Sequence, residues 1–145
     1  MVALAVLSIA AVAIGWQTIR LVAHHRFETG GRMLYTALLE AQMISMIHRT
    51  DSTFTITQEG GRFFYQWQSD EPAKVFHPPA QELKGVSWIS IDKKGKLKKP
   101  IVFNIFSSGR IEPSLVLDLH DDEEKKIRID MQEPIKIHYQ KAHKK

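Results

Sequence analysis

Hydrophobic positions dominate the start of the chain. From Met1 to Ile19 no side chain is charged, and Arg20 is the first that is. Ser8, Gln17 and Thr18 are the only clearly polar side chains in this run. At about 1.5 Å per residue it forms a helix roughly 30 Å long, the thickness of a bilayer core. Trp16 stands near its end, where an interfacial aromatic belongs. The pattern predicts a single transmembrane helix. Two alternatives stand beside it. A cleaved signal peptide would use Ala11-Val12-Ala13 as its A-x-A site, but nothing basic precedes the run as an n-region would. A buried core helix is the other.

The helical period continues beyond residue 20, to about residue 49. Leu34, Ala37, Leu38, Ala41, Ile44 and His48 recur at spacings of three and four and share one face. Arg32, Thr36 and Glu40 fall off that face. Gly30-Gly31 interrupts the pattern and predicts a bend or a loosened turn. Met33, Met43 and Met46 read as core packing. This amphipathic half requires a sheet on which to bury its face.

From Asp51 the period becomes two. Phe54 and Ile56 alternate with polar residues, and Gly60-Gly61 predicts a hairpin turn. Phe63, Tyr65 and Trp67 follow at the same spacing, then a proline-containing loop from Glu71 to Ala80. Further strands are predicted at Val86 to Ile91, Ile101 to Ile105, Leu115 to Leu119, Ile127 to Met131 and Ile135 to Tyr139. Turns are predicted at Lys94-Gly95-Lys96 and Ser107-Ser108-Gly109. About seven short strands with turns every 8 to 12 residues are the mark of an antiparallel sandwich or open sheet. The expected fold class is therefore α+β: a long N-terminal helix, transmembrane then amphipathic, packed on a C-terminal antiparallel β domain. The expected divisions are 1–23 for the transmembrane helix, 24–50 for its amphipathic continuation, 51–140 for the β domain and 141–145 for a basic tail.

Composition adds exclusions. The chain has 145 residues, enough for one modest domain, and no cysteine. A disulfide scaffold, a zinc ribbon, an iron–sulfur cluster and a cysteine nucleophile are excluded. A net charge of +4 is too mild to imply nucleic acid by itself.

Candidate chemistry is sparse. His24 and His25 are adjacent, so on a helix they point about 100° apart and do not chelate together. Asp118, Asp121, Asp122, Glu123 and Glu124 supply oxygens of the kind calcium takes, without EF-hand spacing, and read as a solvated hairpin tip. Lys93, Lys94, Lys96, Lys98 and Lys99 form the densest basic patch, in a predicted turn, where an anionic partner is the alternative to a solvated loop. Phe63, Tyr65 and Trp67 read as packing rather than as a stacking platform for single strands. The glycines form no phosphate-cradling loop. No residue set makes a catalytic site, and no metal or cofactor is expected.

The order of apolar start, continuous amphipathic helix and β domain resembles the type IV pilin-like proteins. Met1-Val2-Ala3-Leu4-Ala5-Val6-Leu7-Ser8-Ile9-Ala10 looks like the stretch that follows their F-T-L-x-E motif. Ile101-Val102-Phe103, Ser108-Gly109, Leu115-Val116-Leu117 and Ile127-Arg128-Ile129-Asp130 are similar to the C-terminal pattern of the H-type minor pseudopilins of type II secretion. The sequence departs from the family in lacking a basic leader and the F-T-L-x-E glutamate, and in having Gln132-Glu133-Pro134 where a glycine is usual. An internal start at Met1, with the leader upstream, accounts for the first two. It also resolves the topology, since Arg20, His24, His25 and Arg26 alone would draw the C-terminal part into the cytoplasm.

The resemblance implies a structural, non-enzymatic role. Such proteins sit once across the bacterial inner membrane with the β domain in the periplasm. They are trimmed and methylated at the N-terminus and pack their helices into a short fibre that minor members initiate or cap. The implied partners are other pseudopilins and the inner-membrane assembly platform, with no nucleic acid and no small-molecule substrate. The implied helix-packing interface is Leu4, Leu7, Ala11, Ile14, Leu34, Leu38, Ala41 and Ile44. The alternative is a membrane-anchored β-rich binding module outside any fibre.

Overall fold

The structure, a computed structural model, describes the backbone of residues 2–71, 78–92, 95–97, 99–132 and 134–140, with helix side chains from Gly15 onward except Trp16. Helix α1 spans Val2–His48. The strands that follow are β1 Ser52–Glu59, β2 Arg62–Ser69, β3 Gln81–Glu82, β4 Trp88–Ile91, β5 Ile101–Ile105, β6 Ile111–Glu112, β7 Val116–His120, β8 Lys126–Asp130 and β9 Lys136–Gln140. They pair antiparallel into two sheets, ordered β3-β2-β1-β5-β6 and β4-β7-β8-β9.

No proline occurs before Pro72, so nothing breaks α1. The helix stops where Arg49 turns left-handed at φ 52° and the Thr50 N–H reaches back to the Ser45 carbonyl at 3.1 Å. That is a Schellman closure, with arginine where glycine is usual. Below it, the Ser45 hydroxyl donates to Ser52 at 2.7 Å, fastening the helix end to the start of β1.

The helix rests on both sheets, touching β1, β2 and β5 of one and β8 of the other. Leu34, Ala37, Leu38 and Ala41 are buried and Ile44 is half-buried, as the spacing predicts. His48, the last residue of the helix, leaves the pattern and is exposed. Inward residues of the first sheet are Phe54, Ile56, Phe63, Tyr65, Trp67, Phe103 and Ile105. Those of the second are Leu117, Leu119, Ile127 and Ile129. Phe54 stacks on Tyr65 with ring centres 5.9 Å apart and meets Phe103 at 6.5 Å. These aromatics belong to the core.

Two expectations change. The helix runs through Gly30-Gly31 without a break, and the pair serves close packing. Both glycines are buried at the closest approach to the sheets. A Cβ on Gly30 would lie 2.6 Å from the Lys84 carbonyl oxygen, and one on Gly31 would lie 2.6 Å from Ile127 Cδ1. Gly85 answers from the other side: its φ is +80°, and a Cβ there would lie 2.7 Å from the Phe27 nitrogen. Nor are Met33, Met43 and Met46 core residues; all three are exposed. At 100° per residue, Met43 and Met46 fall on the side opposite Leu34 and Ala41.

The hairpin at Gly60-Gly61 forms, with φ of 55° and 79° as a type I′ turn requires. The pattern missed β3 and β6, which have two residues each and carry no period. Of the predicted Glu71–Ala80 loop, residues 72–77 lie outside the described residues, as do Lys93, Lys94, Lys98 and the tail 141–145.

Candidate functional site

The helix divides into two parts. Between Gln17 and Ala23 every side chain is exposed, with Ile19 and Leu21 at 70% and 69%. The first buried residue among the described ones is Phe27, 2% exposed. Before it, Arg20 and His24 border the β7–β8 turn. Leu4, Leu7, Ala11 and Ile14 belong to this part, but their side chains lie outside the described ones. Among the described residues no helix is long and apolar enough to cross a membrane.

In the second part, Leu34, Leu38 and Ala41 are fully buried on the chain's own strands, and Ile44 packs against the same core. These four of the expected interface residues therefore contact the chain's own β domain. The opposite side of the helix carries Leu39, Met43, Met46 and Ile47, exposed by 37%, 55%, 51% and 66%. Successive spacings of four, three and one place them within about 100° of one another, an exposed stripe of apolar side chains. Alternation of apolar and polar residues did not single them out, because both sides of this helix are apolar.

Two grooves flank the helix. One, of about 390 Å³, runs between α1 and β2, lined by Arg32, Met33, Thr36, Tyr65, Trp67 and Pro79. On its floor the Tyr65 hydroxyl donates to Gln81 Oε1 at 2.7 Å. Burial, helped by the negative charge of Glu40, raises the Tyr65 pKa above the ordinary phenol value. The other groove, of about 650 Å³, lies where the helix leaves the domain, among Arg20, His24, Arg62, Lys84, Asp122 and Glu123. Arg20 approaches Glu123 at 3.9 Å there, and the Ser87 hydroxyl donates to Asp122.

The acidic run resolves into separate structural duties. Asp121 accepts the backbone N–H of Glu123 and Lys125 at 3.0 and 2.7 Å, closing the β7–β8 turn. Glu123 pairs with Lys125 at 2.8 Å, which holds its carboxyl below the usual range. Asp118 lies in β7 itself, 3% exposed on the outer side of the sheet. Arg128, opposite it on β8, forks onto both its oxygens at 2.8 and 3.0 Å. Burial pushes the Asp118 carboxyl up, but the Arg128 hydrogen bonds and the charges of Lys126 and Arg128 outweigh it, and its pKa falls below the ordinary value. Among the described residues no His, Asp and Glu groups converge as a metal site.

Beside this pair, His120 lies flat on Trp88 with ring centres 3.5 Å apart, and Lys96 Nζ stands 5.5 Å from the centre of the Trp88 ring. Burial lowers the His120 pKa, with Asp118 opposing. Ser90 Oγ is 3.4 Å from His120 Nε2. Serine, histidine and aspartate thus meet on one face. Their contacts are not those of a nucleophile, a base and its orienting acid, because Asp118 gives both oxygens to Arg128. Sequence reading missed this cluster: its members belong to three strands, and only the pairing register joins them.

The chain combines one long helix, exposed from Gln17 to Ala23 and buried against two antiparallel sheets from Phe27 onward. Neither a protein-family model nor a curated protein matches the sequence. Among solved structures, the chain is similar to the minor pseudopilin EpsH from the Type 2 Secretion System of Vibrio cholerae, at 17% identity and a TM-score of 0.52. The likeness covers 79% of this chain and 96% of that one. The chain shares the fold of that structure.

Proposed function

We propose that the protein is a minor pseudopilin of a type II secretion machine, or of a related type IV pilus-like machine, and helps to initiate or cap the periplasmic pseudopilus that drives protein export. The observation that carries this reading is the division of α1 within a fold shared with EpsH. One half is tied to the β domain and the other is headed by an uncharged run. In this reading residues 1–23 cross the inner membrane once and 24–50 continue the helix. Residues 51–140 form a periplasmic β domain, and 141–145 are a basic tail. Leu4, Leu7, Ala11 and Ile14 meet neighbouring helices, exchanging lipid for a like surface at little cost. Leu39, Met43, Met46 and Ile47 extend that contact along the amphipathic half. The partners are other pseudopilins and the inner-membrane assembly platform.

The test is recovery of the native protein from membranes, with its N-terminus and companions read by mass spectrometry. An N-methylated terminus and co-purified pilin-like subunits are expected. A protein recovered alone, with an unprocessed terminus, would leave a membrane-anchored binding module instead.

A further inference from the structure

Sheets protect their edges by shortness, by covering segments or by charge. Three of the four edges here are closed. β3 and β6 have two residues each. β4 is crossed by Lys96, which bridges to Ser90, and by Leu97, whose N–H bonds the Ile89 carbonyl at 2.7 Å. The fourth edge is β9, five residues long and paired on one side, to β8, among the described residues.

The register shows which groups of β9 face outward. The Met131 N–H bonds the Leu115 carbonyl at 3.0 Å, so alternate residues Met131, Ile129 and Ile127 point their amides at β7. Asp130, Arg128 and Lys126 then point theirs at β9, opposite Lys136, His138 and Gln140. The N–H and C=O of Ile137 and Tyr139 are therefore turned away from the sheet. Their side chains end the two inner rows Leu117–Ile129–Ile137 and Leu119–Ile127–Tyr139. Inner members of both rows are buried, whereas Ile137 is half-buried and Tyr139 is 47% exposed. Among the described residues the apolar layer thus runs on to the last strand without cover. On the other face stand Lys136 and His138. Residues 136–145 hold four lysines, two histidines and no acid.

We propose that β9 is a docking edge that takes up an extended segment of a partner protein as a further strand. Its apolar side chains lie opposite Ile137 and Tyr139, and its acidic side chains lie toward Lys136 and His138. Main-chain hydrogen bonds supply affinity, and the alternation supplies specificity. A second copy of the same edge does not fit, since it would set one basic, acid-free segment against another. The proposal stands apart from the fibre reading, because it depends only on the β domain.

The test uses the full chain in dodecylmaltoside micelles and two peptides, acetyl-EVEIEVE-amide and acetyl-KVKIKVK-amide. Amide hydrogen exchange at Ile137 and Tyr139, read by NMR, reports on the edge itself. The acidic peptide is expected to bind saturably and slow both amides, and the basic one to bind roughly tenfold more weakly or less. Tyr139→Pro removes an outward N–H without touching the β8 pairing and is expected to weaken binding at least about tenfold. Lys136→Glu keeps every main-chain group and is expected to reverse the preference between the peptides. Circular dichroism confirms the fold of each variant. Absence of binding by the acidic peptide would show that Lys136 merely guards the edge. Equal binding of both peptides, or full binding by both variants, also overturns the proposal. So does slowing of the same amides by phosphatidylglycerol in the micelles, because charge alone would then suffice.

Discussion

Single residues show where close packing overrides intrinsic preference. Alanine is favoured over glycine inside a helix by about 1 kcal/mol. Against this, a Cβ on Gly30 would meet a backbone carbonyl at 2.6 Å, and backbone does not yield cheaply. Overpacking of this kind costs about 1–3 kcal/mol, so, net of the helix preference, Gly30→Ala is expected to lower stability by up to about 2 kcal/mol. At Gly31 the obstacle is the terminal methyl of Ile127, which can rotate aside, and Gly31→Ala is expected to be near neutral. Thermal melts of the two variants separate them, and equal losses would refute the close-approach argument. Arg49 presents the opposite case, a bulky residue held left-handed at φ 52°. That conformation costs a non-glycine residue about 1–2 kcal/mol, and Arg49→Gly is expected to recover about 0.5–1 kcal/mol in urea denaturation.

At the scale of elements, the outer face of the second sheet determines the response to acid. The His120 pKa is lowered in the fold, so the unfolded chain binds its proton more readily. Its contribution is present above the ordinary histidine value of about 6.5 and is lost as pH falls below it. The Asp118 pKa is lowered too. Its contribution is present above the ordinary aspartate value of about 3.9 and is lost as pH falls toward the lower folded one. Stability is therefore expected to decline on acidification in two stages, measured by urea midpoints across pH. His120→Gln removes the first stage and Asp118→Asn reduces the second, to which Glu123, paired with Lys125, also contributes. Asp118→Asn also strands a half-buried guanidinium, and a loss of about 3 kcal/mol at neutral pH is expected, at the low end for breaking a buried pair. A single-stage profile in the parent protein would contradict this account. The helix makes its own prediction through the stripe Leu39, Met43, Met46 and Ile47. Met43→Glu changes an exposed side chain, so the melting temperature should move by less than about 2 °C, while assembly with other pilin-like subunits fails. Because the chain has no cysteine, Met43→Cys gives a single attachment point for cross-linking to a neighbour.

For the whole molecule, sequence and tertiary structure settled different things. The uncharged run, the long helix, the buried face from Leu34 to Ile44 and the alternation of β1, β2, β5, β7 and β8 were all legible in the chain. Each depends on neighbours one to four positions away, where side-chain direction is set by backbone geometry alone. The glycine pair was visible, but its use was not: whether Gly30-Gly31 bends a helix or admits a carbonyl depends on Lys84 and Ile127, far away in the chain. The methionines were misassigned for a similar reason, since a helix apolar on both sides does not declare which side its sheet will cover. The Asp118–Arg128 fork and the Trp88–His120 stack required a register between strands, and the open edge at β9 required the sheet order. Local periodicity determined which elements exist and which way each residue points along them. Contacts between distant segments decided which apolar side was left in water and which edge was left open, because only the closed fold brings those segments to one place.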